Sequence, residues 1–275
     1  RKNQNIIVPI DFSDQSDNAL QAAASIAKKH NATLYALHML ELNEAILSSS
    51  EGFHPEQTVF LIKLAEKRLK DFLDKTYLDG IKIVPIIKHF KVFSEISQVA
   101  QNHDVDLIVM GSTGSDGLKE IFVGSNTEKV VRHSDIPVMV IKTKAEQFNP
   151  KEMVFACDLK EENIHAFQRA KYIADTFSAE LKLVYINTPG DEFLITAEIQ
   201  QKIASFCSIV GYDVLIAIYN DYNIERGILN FAANSNADII GIPTHGRKGL
   251  SHFFMGSIGE DVANHSVLPV VTFKI

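Results

Sequence analysis

Apolar residues in the first half of the chain fall into alternating blocks of two kinds. Short runs at residues 6–10, 33–39, 81–87, 107–110 and 138–141 are rich in Val, Ile and Leu and lack polar alternation, the pattern of parallel strands buried on both faces. Between them lie stretches with apolar residues at helical spacing. The first carries Ala19, Leu20, Ala23, Ile26 and Ala27, with Ser13 or Asp14 where an N-cap belongs. A second, over residues 59–73, groups Phe60, Leu61, Leu64, Leu69 and Phe72 near one side, and residues 93–102 and about 125–133 supply two more. Strand and helix in alternation predict an α/β fold with an open five-stranded parallel sheet and helices on both faces. Such sheets take ligands at the carboxyl ends of their strands, near a topological switch point. Asp11, Met39 and Gly111 all fall at predicted strand ends and are expected to converge there.

The pattern repeats. Gly114, Gly124, Ser125, His133, Ser134 and Pro137 recur 132 residues later as Gly246, Gly256, Ser257, His265, Ser266 and Pro269. Asp11 lines up with Asp158 at the larger spacing of 147, so fifteen residues are missing from the second copy, between its second strand and residue 213. Two homologous domains follow, at residues 1–143 and 151–275, in tandem. They are joined by a short linker without apolar period that ends near Pro150.

Gly111 and Gly114, then Gly124 and Ser125 after nine residues, form the sharpest local signal. A residue without Cβ directly after a buried strand lets backbone N–H groups come close to a ligand. Gly124 and Ser125 stand where the next helix begins, and a helix start offers unpaired N–H donors and partial positive charge to phosphate oxygens. The hydroxyls of Ser125 and Thr127 add donors. Isolated glycine pairs also serve as plain turns. Their place after the fourth strand and their recurrence favour the phosphate reading.

Composition narrows the class without choosing the function. The 275 residues are 46% hydrophobic and 22% charged, as in an ordinary globular chain, and the formal charge of -7 argues against general affinity for nucleic acid. Cys157 and Cys207 form no CxxC pair, which points to buried thiols in a reducing cytoplasm. No apolar run approaches the roughly 20 residues of a membrane span, and the start has no signal-peptide pattern. The histidines show no metal-ligand spacing, and His245, between Thr244 and Gly246, reads as a loop residue. A Walker A loop is absent, and no catalytic residues are assigned.

With Gly111, Gly114, Gly124 and Ser125 in a Gly-x2-Gly-x9-Gly-Ser pattern, and Val8, Pro9, Ile10 and Asp11 opening the chain, the sequence resembles the universal stress protein family, once per half. The resemblance implies a Rossmann-like fold of the adenine nucleotide alpha hydrolase type and an ATP-binding stress-response protein. It places Asp11 beside ribose and base, Met39 and Met110 at the adenine, and Gly111 at the sugar, and counts Pro9 among the nucleotide-binding residues. Gly114, Gly124, Ser125, Asn126 and Thr127 would surround the phosphates, with Mg²⁺ sharing their charge. A core role for Met39 and Met110 stands beside the base contact. The second copy departs from the pattern. Pro243 replaces Gly111, removing an N–H and fixing φ, and Ile258 and Gly259 replace Asn126 and Thr127. This half is expected to bind ATP weakly or not at all and to pair with the first, residues 269–273 meeting residues 137–141. The leading function is an ATP-dependent switch or sensor acting on an unknown protein partner, with homodimer formation left open. The alternatives are a slow ATPase or autophosphorylating enzyme, and a nucleotide-free scaffold holding a partner or an apolar ligand between the halves.

Overall fold

The computed structural model describes residues 4–40, 55–89, 92–112, 127, 129–131, 134–144, 148–190, 192–244, 262 and 265–275. Two compact units divide the chain: residues 1–111 with 144–148, and residues 112–143 with 149–275.

In the first unit β1 (Asn5–Ile10) leads into α1 (Asp14–His30), then β2 (Thr33–Leu40), α2 (Pro55–Phe72), β3 (Lys82–His89), α3 (Val92–Asn102) and β4 (Leu107–Gly111). The strands lie in the order β3-β2-β1-β4, all parallel. Ile6, Ile7 and Val8 are all buried although successive side chains face opposite ways, so both faces of β1 are covered. The N-cap of α1 is Ser13, whose hydroxyl accepts from the Ser16 amide at 3.2 Å. Asp14 and Asp17 in the first turn and Lys28, Lys29 and His30 in the last suit the helix dipole. Asn31 in the left-handed region ends the helix, its N–H returning to Ala27 O.

Helix α2 corrects one expectation. Its buried positions are Ala65 and Leu69, whereas Phe60 and Leu64 are exposed. Two overlapping apolar stripes run along this helix, and the one through the small Ala65 faces the sheet. Of the helix expected at about 125–133, residues 127 and 129–131 are described and helical.

The second unit holds β5 (Val138–Ile141), β6 (Glu152–Ala156), α4 (Ile164–Phe177), β7 (Glu180–Asn187), α5 (Thr196–Val210), β8 (Ile216–Asn220), α6 (Ile224–Asn234), β9 (Ile239–Thr244) and β10 (Val270–Lys274). The strand order is β5-β10-β9-β6-β7-β8. Among the described strands of this unit, the β5–β10 pair is antiparallel and the other pairs are parallel. Phe155, Phe167, Phe206 and Phe273 are fully buried, and Phe155 stacks edge-on against Phe273 at 5.8 Å. Helix α5 has 15 residues where its counterpart α2 has 18, so part of the shortening falls in this helix.

By sequence β5 closes the first repeat, yet it packs in the second unit because it pairs with β10. Met139 faces Val271, with Val138 opposite Thr272 and Val140 opposite Val270. Met139 and Val271 are equivalent positions in the two repeats and the flanking pairs exchange around them, so each last strand meets its own counterpart in the self-complementary manner of a two-fold interface. The pairing removes the two apolar edges that the sequence left open.

Candidate functional site

The chain visits β1, β2 and β3 in one direction and returns to β4 on the other side of β1. The switch point therefore lies between the carboxyl ends of β1 and β4, strands aligned in parallel by Ile6–Leu107 and Ile7–Ile108. Asp11 directly follows β1 and is exposed there, and Gly111 is the last residue of β4. Pro9 is half-buried on β1. Met39 and Met110 lie near the ends of β2 and β4 and are buried in the core.

Asp11 is held by the helix that follows it. Its Oδ1 accepts from the Ser13 amide at 2.9 Å and from the Ser13 hydroxyl. Partial burial pushes its pKa up, and the bonds from Ser13 and Ser16 outweigh that, leaving it below the ordinary aspartate range. The carboxylate is ionised at neutral pH, positioned, and still open to solvent.

Between Asp11 and Ser13 the backbone of Phe12 takes φ 69°, the left-handed region that non-glycine residues adopt at a cost of roughly 1–3 kcal/mol. Packing offsets that cost. The Phe12 ring lies 4.4 Å from the His38 ring and 5.6 Å from Phe72, and the Arg68 guanidinium sits over it at 4.2 Å. His38 Nδ1 is 2.8 Å from Ile10 O. A carbonyl only accepts, so Nδ1 carries the proton in that bond. Sequence reasoning missed this cluster of Phe12, His38, Arg68 and Phe72, because α2 brings two of its members from a distant part of the chain.

Gly111 has a packing reason to be glycine. A Cβ there would stand 2.3 Å from Gln15 O and 2.6 Å from Gln15 C, the backbone of the first turn of α1. The missing side chain lets that helix start lie directly against the end of β4. Thr127 is buried and helical in the second unit. Gly114, Gly124, Ser125 and Asn126 lie outside the described residues. Among the described residues no cluster of three or more His, Cys, Asp or Glu is arranged to hold a metal ion.

The second repeat keeps the backbone and changes the chemistry. Leu159 repeats the left-handed turn at φ 60° after Asp158. Asp158, unlike Asp11, is buried. Lys160 Nζ pairs with its Oδ2 at 2.7 Å, while the Lys160 amide and Asn163 Nδ2 donate to Oδ1. The adjacent Cys157 is fully buried, and burial pushes its thiol up to about 12. Pro243 lies within β9 opposite Phe273, whereas His245, Gly246, Gly256, Ser257, Ile258 and Gly259 are outside the described residues.

A family model matches the chain over residues 2–142 and again over 211–274, and its description is the universal stress protein family. The chain belongs to the universal stress protein family. A universal stress protein of Methanocaldococcus jannaschii is 32% identical over 137 residues, which cover 50% of this chain and 81% of that protein. The universal stress protein YxiE of Bacillus subtilis is 33% identical over 144 residues, 50% of this chain and 97% of its own. A crystal structure of a universal stress protein from Archaeoglobus fulgidus has the same fold along the whole length, with TM-score 0.76 and 23% identity, covering 100% of this chain and 99% of that one. Two matched regions and relatives half as long make this a tandem universal stress protein. Among its described residues, no helix is long and apolar enough to cross a membrane.

Proposed function

We propose that the first repeat of this universal stress protein binds ATP with Mg²⁺, and that the nucleotide switches the surface offered to a protein partner in a stress response. The observation that carries the reading is the intact Gly111, Gly114, Gly124 and Ser125 motif leaving β4 at the switch point where β1 delivers an ionised, exposed Asp11. Asp11 accepts from ribose hydroxyls, held by Ser13 so that little ordering is lost on binding. Pro9 and Gly111 bring backbone close to the sugar and base. Met39 and Met110 present polarizable thioethers to the adenine from their core positions. Gly114, Gly124, Ser125, Asn126 and Thr127 would take the phosphates, where Mg²⁺ would supply charge neutralisation.

The second repeat is the silent one in this reading. Lys160 and Asn163 already occupy the carboxylate of Asp158, and Pro243 has no N–H to offer. ATP shifts the switch only by binding one state more tightly than the other. Limited proteolysis with and without Mg-ATP tests this: cleavage between Ser115 and Val123 slows when nucleotide is present. Unchanged cleavage at saturating ATP would sink the switch.

A further inference from the structure

We propose that the second repeat carries a separate site for a small aromatic carboxylate, in the cavity at the carboxyl ends of β7 and β8. The cavity measures about 680 Å³, within the roughly 300–1,000 Å³ range of small-molecule pockets. It lies beside β7 and β8, and Asp158 is not among its described lining residues.

Its floor is fixed. Asn187, at the end of β7, is buried and spends its amide on Leu194 O, Leu194 N–H and Asn220 Oδ1, each at 3.2 Å. That ties the loop before α5 to the ends of both strands. The apolar part of its walls is Leu194, Ile199 and Ile218 joined by Phe193, Tyr219 and Tyr222. Tyr222 is 77% exposed and Phe193 is 52% exposed, although they line a concave surface. Aromatic side chains left in water at a cavity mouth favour a flat apolar body that covers them.

One end of the cavity is charged in a definite way. Asp221, its side chain 7% exposed, accepts from the Tyr222 amide at 2.7 Å and from Asn230 Nδ2 at 2.8 Å, and pairs with Arg226 Nε at 3.3 Å. The Asn230 bond comes first among the causes that hold the carboxyl below the ordinary aspartate range, so Asp221 stays ionised and committed to these partners. Arg226 is thus anchored through one of its five N–H donors, with its guanidinium 5.5 Å from the Tyr222 ring. The remaining donors suit an anion. Arg226 is the only cation among the described lining residues and Asp221 already offsets its charge, so the donors left on the guanidinium, and not a net positive charge, are what the ligand uses; that suits a singly charged carboxylate better than a phosphate dianion. Glu225, in the first turn of α6, is engaged by His265 and does not line the cavity.

The test uses the full chain and 2-naphthylacetate as the probe, titrated by calorimetry beside its neutral amide, 2-naphthylacetamide. Saturable binding is expected at one site, weaker by about tenfold or more for the amide and for Arg226→Gln, since a hydrogen bond to a charged group is lost in each case. Tyr222→Ala, at an exposed position, is expected to weaken the acid by a similar factor. No saturation of the wild-type chain at about 5 mM probe would overturn the proposal, as would equal affinity for acid and amide. The acid–amide comparison needs no variant to fold, and the site lies outside the first repeat, so the result stands whether or not ATP binds there.

Discussion

Gly111→Ala puts the packing at the head of the site to a quantitative test. The new Cβ would meet Gln15 O at 2.3 Å, Gln15 C at 2.6 Å and Gln15 Cβ at 2.9 Å, where ordinary contact begins at 3.4 Å. Two of these atoms are helix backbone, so relief requires the first turn of α1 to move by about 1 Å, against the Ser13 cap and the Asp11 bonds. Overpacking of this kind costs roughly 1–3 kcal/mol, and an unyielding backbone puts this case near about 3. Alanine recovers about 0.5–1 kcal/mol by restricting the unfolded chain. The net expectation is a loss of about 2 kcal/mol, read by urea denaturation from the transition that unfolds the first unit. Gly241→Ala is the control. Its Cβ would meet Met153 Cε at 2.7 Å, the tip of a flexible side chain, and Phe155 Cδ2 at 3.0 Å, so a smaller loss of about 1 kcal/mol is expected. A Gly111→Ala chain within about 0.5 kcal/mol of wild type would refute the packing argument.

Three further substitutions probe other parts of the account. Ser13→Ala removes both the α1 cap and a donor to Asp11, costing about 1 kcal/mol and raising the Asp11 midpoint in a carboxyl NMR titration. Because the folded pKa of Asp11 is depressed, its stabilisation is present at neutral pH and is lost as pH falls through the acid range, a loss that Ser13→Ala makes smaller. Lys142 is buried and burial pulls its pKa down to about 8, so the folded state releases its proton before the unfolded state does. Stability gains from this group as pH rises from about 8 towards 10.5, and Lys142→Met is expected to flatten that rise in pH-dependent urea melts. Asp135 reaches Lys274 at 2.6 Å but is 71% exposed, so Asp135→Ala is expected to cost under about 1 kcal/mol in the same assay.

The sheet and the repeat were legible because they are written in local signals. Short, largely apolar runs placed the strands of the first repeat within one or two residues, and recurring glycines and Ser-x2-Pro endings exposed the tandem arrangement. The pairing of β5 with β10 followed from two apolar edges that each needed cover. Helix α2 was harder. Phe60, Leu61, Leu64, Leu69 and Phe72 suggest one buried face, but of these only Leu69 is fully buried, with Ala65 beside it, and the sheet beneath decides which side turns inward. The left-handed Phe12 and Leu159 were not legible, since neither residue type advertises positive φ. Nor was the different burial of Asp11 and Asp158, which depends on Lys160 and Asn163 closing over one of two aligned aspartates. The cavity beside β8 arises from the starts of two helices and the ends of two strands, a combination without a sequence motif.

The proposed function requires that one repeat hold nucleotide and the other not. Calorimetric titration of the ligand-stripped chain with ATP and Mg²⁺ tests it most directly. Saturation is expected at one ATP per chain, abolished by Gly124→Val and unaffected by Gly256→Val. Two sites per chain, or no binding at millimolar ATP, would contradict it.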